Sequence, residues 1–251
     1  MAPVNSFKYF IERTNMTWKN ITLGKYQRID QINKTDLSDI DKVLFTACIV
    51  FDKTEHEVNN EEPERVVKMM GKIRRIFETP LNAKPCDRIG IYVINYDVSR
   101  ITFGQYIELS FFFANGIEKN INYILATMSN RWMRKHTARH HRERAEYFLN
   151  QPVELTIGAL ARIQESFSQF NNQYKNLFGI DREVAGDVQD DEFNKRHGWI
   201  YSATQVAEHE RITLDQAFAL PVRQAFNALI FLKAKCKYEI EQFNKSNKRP
   251  V

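Results

Sequence analysis

The sequence repeats itself. Ile21-Thr22-Leu23-Gly24-Lys25-Tyr26-Gln27-Arg28-Ile29-Asp30 returns 80 residues later as Ile101-Thr102-Phe103-Gly104-Gln105-Tyr106-Ile107-Glu108-Leu109-Ser110. Ile, Thr, Gly and Tyr coincide, and most of the other positions are chemically similar. Self-similarity at a fixed offset marks a repeated structural unit and constrains a fold more than composition does. Carried on without gaps, Val43–Cys48 falls opposite Tyr123–Met128. The expectation is an internal duplication of about 21–80 and 101–160.

Each copy carries a helix start. In Thr102-x-x-Gln105 the threonine oxygen takes an orphan backbone N–H and the glutamine answers back, a capping box. Thr22 caps in the same way, although Lys25 cannot return the bond. Helices are predicted from near Leu23 and Phe103. Polar breaks follow at Asn33-Lys34-Thr35-Asp36 and Asn115-Gly116, then second helices over Ile40–Val50 and Ile117–Arg131. Between the copies, the β-branched and aromatic run Arg88–Tyr96 suits a strand, and Asp52–Arg65 reads as a solvated loop. After Pro152, Ile163, Phe167, Phe170 and Tyr174 recur at spacings of three and four, which predicts a helix over about Thr156–Phe178.

Residues 1–180 thus read as a helical domain. An acidic linker is expected over 181–196, because Asp181–Glu192 holds six acids against one base and little apolar mass. The remainder, 197–251, reads as a C-terminal helical unit. Trp199–Glu210 forms one helix, Thr213 and Gln216 give another capping box, and Pro221 fits the first turn of a long helix. Along it Val222, Phe226, Leu229, Leu232, Cys236, Ile240 and Phe243 are spaced 4, 3, 3, 4, 4 and 3. That near-heptad seam buries one face on the Trp199 helix or on a partner. Val222, Phe226, Leu229 and Leu232 are the candidate partner interface. The fold class expected is mostly α, with helical repeats, a minor β element and a C-terminal helical hairpin.

Composition narrows the function. Hydrophobic residues at 43% and charged residues at 27% are ordinary globular values. No apolar run approaches the roughly 20 residues of a membrane span, so no membrane is expected as a partner. The first residues lack the basic-then-apolar order of a signal peptide, which predicts that the chain stays where it is made. Cys48, Cys86 and Cys236 are widely spaced and read as buried or idle thiols in a reducing cytosol. No phosphate-cradling glycine loop or nucleophile elbow occurs. The reading is a non-enzyme with no catalytic residue, cofactor or metal assigned.

One cluster invites a site. Arg131–Arg144 carries six Arg/Lys and three of the six histidines in fourteen residues. His136 and His140 stand one helical turn apart, but the neighbouring Arg139 opposes a cation. Arg131, Arg134, Lys135, Arg139 and Arg142 suit an acidic protein partner, or phosphates through counterion release, with Trp132 able to stack on a base. A nucleic-acid-binding protein using the helix 131–144 is therefore the alternative reading. The acids Asp36, Asp39, Asp41 and Asp190-Asp191-Glu192 read as solvated charge.

Two stretches carry a resemblance. One is Ile101–Leu109 with its following helix and the basic 131–144 segment. The other runs from Gly198-Trp199-Ile200 through Leu220-Pro221-Val222-Arg223-Gln224-Ala225-Phe226-Asn227-Ala228-Leu229 to Lys233-Ala234-Lys235. In these the chain resembles small morphogenesis proteins of tailed bacteriophages, particularly tail-assembly-chaperone-like proteins of phages infecting gut Bacteroidota. The resemblance implies a non-enzymatic, mainly helical protein that contacts other phage tail or virion proteins, and the capped repeats with the seam on the last helix add the expectation of a homo-oligomer. It implies work in the bacterial host cytoplasm during assembly, or residence in the virion tail. The duplicated N-terminal copy departs from the single-copy chaperone pattern and fits a virion structural component, such as a tail or neck ring subunit.

Overall fold

The structure is a computed structural model, and it describes residues 16–130, 138–178 and 192–247. A 3₁₀ turn at Trp18–Asn20 leads into α1 (Leu23–Asn33), α2 (Asp39–Phe51), the short α3 (Glu55–Asn59) and α4 (Pro63–Glu78). The strands β1 (Arg88–Ile89) and β2 (Tyr92–Ile94) precede α5 (Phe103–Ala114), α6 (Ile117–Thr127), β3 (Ser129–Asn130) and α7 (Ala138–Leu149). Then come α8 (Val153–Gln173), α9 (Lys175–Phe178), α10 (Glu192–Glu210), α11 (Leu214–Ala219) and α12 (Val222–Asn247). The fold is mostly helical with one small antiparallel sheet of order β1-β2-β3.

The chain forms two compact units, Met1–Ile94 with Ile117–Ala161, and Asn95–Gly116 with Arg162–Val251. Both copies of the Ile-Thr-x-Gly motif do the same work, one in each unit. In the first unit Leu23 N–H donates to the Gln151 carbonyl at 2.8 Å, and Val153 N–H donates to Ile21 at 2.9 Å. In the second, Phe103 N–H donates to Leu220 at 2.8 Å and Val222 N–H to Ile101 at 3.0 Å. Thr22 bridges Pro152, and Thr102 bridges Pro221. All four donors are the first residues of helices (α1, α8, α5, α12), whose N–H groups have no partner within their own helix. Two helix starts therefore satisfy each other through a two-stranded strap.

The threonines complete the caps. Thr22 Oγ1 accepts from Lys25 N–H at 3.3 Å, and Thr102 Oγ1 accepts from Gln105 N–H at 3.2 Å while Gln105 Oε1 accepts from Thr102 N–H at 3.0 Å. Lys25, which cannot return the bond, instead donates from Nζ to the Val50 carbonyl at 3.1 Å and to Asp52 at 2.6 Å. It thereby holds the end of α2, where Asp52 caps in the left-handed region at φ 52°. Each motif glycine lets α1 or α5 approach a neighbouring backbone. A Cβ on Gly24 would lie 3.1 Å from the Leu149 carbonyl oxygen, and one on Gly104 would lie 3.2 Å from that of Phe218.

The cores differ in filling. Trp18 anchors the first unit, packing edge-on to Phe77 and Tyr26 and donating its indole N–H to the Thr79 carbonyl at 2.7 Å. Ile29, Ala47, Val50, Val58, Ile73 and Ile76 are buried with it. The second unit is built around rings: Tyr106 meets Phe167, Phe170, Trp199 and Phe226 at centroid distances of 4.8–5.8 Å. The Tyr106 hydroxyl donates to Asn171 Oδ1 at 2.7 Å, and burial pushes the phenol up to about 12.

Several local expectations are corrected. The stretch 52–65 is not a solvated loop: Thr54 and Glu57 form a capping box that starts α3, and Pro63 opens α4 at its first position. The Arg88–Tyr96 strand folds back at Gly90, φ 57°, giving β1 and β2 with Ile89 opposite Tyr92. The second helix of the later copy stops at Thr127, because Ser129 pairs with Ile94 in the sheet. In the first unit α6 packs along α7, and in the second α10 packs along α11. The helix equivalent to α6 is thus α10, not the α2 that an ungapped 80-residue offset sets opposite it.

Two outcomes test these interactions. Gly24→Val and Gly104→Val should each cost about 1–3 kcal/mol by overpacking, whereas Gly71→Ala in α4, where a Cβ meets nothing within 4 Å, should stabilise by about 0.5–1 kcal/mol. Urea midpoints read all three. Tyr106 stays neutral in the fold to about pH 12 but ionises near its ordinary value of 10 once unfolded. Over that interval the unfolded chain binds fewer protons, so stability falls as pH rises, by about 2–3 kcal/mol in total. Tyr106→Phe should flatten that alkaline loss, and an unchanged slope would assign it to other groups.

Candidate interaction surfaces

The expected seam on α12 exists, but most of the candidate partner interface is already occupied. Val222 and Phe226 are fully buried and Leu229 nearly so, with Phe226 meeting Phe103, Tyr106, Phe170 and Tyr174. These three residues are core of the second unit, because α5, α9, α10 and the turn Val98–Arg100 pack against α12. Leu232 is half-buried at the edge of that cover.

The basic run does not behave as one surface. Arg131, Trp132, Arg134, Lys135 and His136 lie outside the described residues. Arg139 and Arg142 are exposed on α7, and Arg139 Nε pairs with Glu143 at 3.0 Å, one turn on. Arg144 points inward at 5% exposure and donates from Nη1 to the Ser129 carbonyl at 2.8 Å, fastening α7 to β3. His141 is also buried, its Nε2 2.9 Å from Thr127 Oγ1. The described part of the run thus divides between packing and surface.

Other charged groups have local duties. Ser38 caps α2 and donates its hydroxyl to Asp41 at 2.7 Å, and Asp39 and Asp41 sit in the first turn, where negative charge suits the helix dipole. Asp190 and Asp191 lie outside the described residues. Cys48 and Cys86 are half-buried, and burial pushes both thiols up, while Cys236 is exposed. No group of three or more His, Cys, Asp or Glu side chains able to hold a metal occurs among the described residues. No described helix is long and apolar enough to cross a membrane.

A groove of about 400 Å³ in the second unit, lined by Tyr96, Asp97, Arg162, Glu165, Ser166 and Gln169, gave no motif in the sequence. Arg162 stacks over the Tyr96 ring at 4.5 Å. Asp97 accepts from the Ser99 hydroxyl at 2.6 Å, which with Arg100 nearby holds its carboxyl below the usual range. Asp97 and Ser166 shape the turn Val98–Arg100, Ser166 Oγ accepting from Val98 N–H at 3.3 Å.

Apolar stripes that outrun their own cover are the clearest unclaimed surface. On α2, Ala47 and Val50 are buried, while Ile40 and Val43, on the same face at spacings of 3, 4 and 3, stand 81% and 47% exposed. On α12, the stripe that is buried at Val222, Phe226 and Leu229 continues to Ile240 and Phe243, 46% and 66% exposed. The sequence periodicity finds both stripes; it does not tell which turns a neighbour covers.

The division of the basic run is measurable. Arg144→Met should cost about 1–3 kcal/mol, because it leaves the buried Ser129 carbonyl without its donor. Arg139→Ala and Arg142→Ala should stay within about 0.5 kcal/mol. Equal urea midpoints for all three would overturn the inward role of Arg144.

Compared with known protein families, curated proteins and solved structures, the chain finds no match.

Proposed function

We propose that this protein is a non-enzymatic morphogenesis protein of a tailed bacteriophage, acting by protein–protein contact as a virion structural component or an assembly chaperone. The observation that carries the contact reading is the pair of apolar stripes, on α2 and on α12, that run past the side chains covering them. Exposed aliphatic and aromatic side chains in register with a buried stripe are what a helix presents when a further partner completes its packing. The phage assignment is supported by the resemblance in Ile101–Leu109 and in 198–235, stretches that supply the strap and the aromatic core of the second unit. The two straps support reading the units as copies of one module, an arrangement suited to repetitive assemblies.

Mass spectrometry of purified particles and of tail intermediates from infected cells tests this directly. The chain should appear in tail or neck assemblies, or in their intermediates, at a fixed copy number. Its absence from both would overturn the assignment. Ile40→Asp with Val43→Asp should leave folding within about 0.5 kcal/mol and lower incorporation by about tenfold or more, the effect of losing roughly 1.4 kcal/mol of contact energy.

A further inference from the structure

We propose that the distal half of α12 pairs antiparallel with the same segment of a second copy of this chain, forming a two-fold symmetric dimer. The inference rests on the reading of exposed stripes as contact surfaces and names the occupant of one of them.

The geometry comes first. α12 has 26 residues, about 39 Å at 1.5 Å per residue. Every residue from Ala234 to Ser246 is exposed. Yet the apolar stripe does not stop where the cover stops: Leu232, Cys236, Ile240 and Phe243 continue the face of Val222, Phe226 and Leu229 at spacings of 4, 4 and 3. A solvated helix end has no need of an isoleucine and a phenylalanine in register with a core. The surface is therefore continuous with a packed interface, and one more helix would complete it.

Charge selects that helix and its direction. The half-buried Lys233 and the exposed Lys235 and Lys237 precede the exposed Glu239 and Glu241. Pairing two copies in the same direction sets lysine beside lysine and glutamate beside glutamate, which costs energy. Reversing one copy sets each lysine block against a glutamate block. In the register that places Leu232 beside the second copy's Phe243, and Cys236 beside its Ile240, Lys235 faces the second copy's Glu239 along one flank. Lys233 faces its Glu241 along the other. Two-fold symmetry makes each of these contacts twice, so one segment supplies both halves of a self-complementary surface. Within a single copy, Lys235 Nζ and Glu239 Oε1 are 3.8 Å apart on an exposed face, a contact weak enough to be exchanged for an intermolecular one.

Light scattering on the full chain, eluted from a sizing column over about 1–200 μM, reads the state directly, a range suited to an interface at the small end of the usual sizes. A concentration-dependent dimer is expected, weakened by salt. Ile240→Asp with Phe243→Asp should give a monomer across the range, with the circular dichroism spectrum unchanged because both side chains lie outside the core. A monomer for the unaltered chain, or a dimer that survives this double substitution, would overturn the proposal. Direction is read by a spin label at Asn244→Cys, with the native cysteines replaced by alanine. Antiparallel pairing puts the two labels about 20 Å apart and same-direction pairing about 10 Å. The shorter distance would overturn the antiparallel register. Failure of the dimer leaves the phage reading untouched, since particle composition decides that independently.

Discussion

Everything in each unit hangs on two helix starts that satisfy one another. An α-helix begins with N–H groups that its own backbone cannot bond, and burying such an end is costly unless a partner is found. Here the first residues of α1 and α8, and of α5 and α12, take each other's flanking carbonyls through the straps at Thr22/Pro152 and Thr102/Pro221. Proline suits the closing side, because it carries no N–H to satisfy and biases the residue before it toward extended backbone; Leu220 is extended accordingly, at ψ 148°. Ile21, Leu23, Val153, Phe103 and Val222 can then be fully buried, or nearly so, at what would otherwise be four polar helix ends.

The strap fixes where helices begin but not what fills the space beside them. The first unit fills it with branched aliphatics around Trp18, the second with stacked and edge-on rings around Tyr106 and Phe226. The same backbone device tolerates both because its bonds are made by the main chain, while the glycine of each motif keeps α1 and α5 at close approach. A polar hydroxyl in the aromatic core is tolerable only because Asn171 accepts its proton. Desolvation then holds Tyr106 neutral.

How far the sequence revealed this depends on whether the signal was local. The capping boxes at Thr102/Gln105 and Thr213/Gln216 were legible because four consecutive residues contain the whole interaction. The strap was half legible. Its opening strands recur at an offset of 80, but its closing segments, Pro152-Val153 and Pro221-Val222 with Ala159-Leu160 and Ala228-Leu229 behind them, recur at 69. An ungapped comparison therefore cannot see both, and it sets α2 opposite α6. Asn59–Pro63 looked like a loop because its composition is polar, although Thr54/Glu57 and Pro63 are also start signals for α3 and α4. Arg144 was hidden for a deeper reason: the nine other charges and histidines of Arg131–Arg144 cannot tell which one turns inward to meet a carbonyl from a strand fifteen residues earlier.

Periodicity has the same limit on α12, and there it has a functional consequence. A seam specifies a face, and the face of Val222, Phe226 and Leu229 is claimed by the unit's own rings, so those residues serve stability first. The turns beyond Leu232 inherit the pattern without the cover. Exposed apolar side chains carry a standing risk of unspecific association, and the way to limit it is to make the wrong pairings repulsive. In the proposed dimer the lysines before Ile240 and the glutamates on either side of it do that, disfavouring same-direction copies and favouring a reversed one. The charge pattern and the stripe together specify a partner in a way that neither does alone.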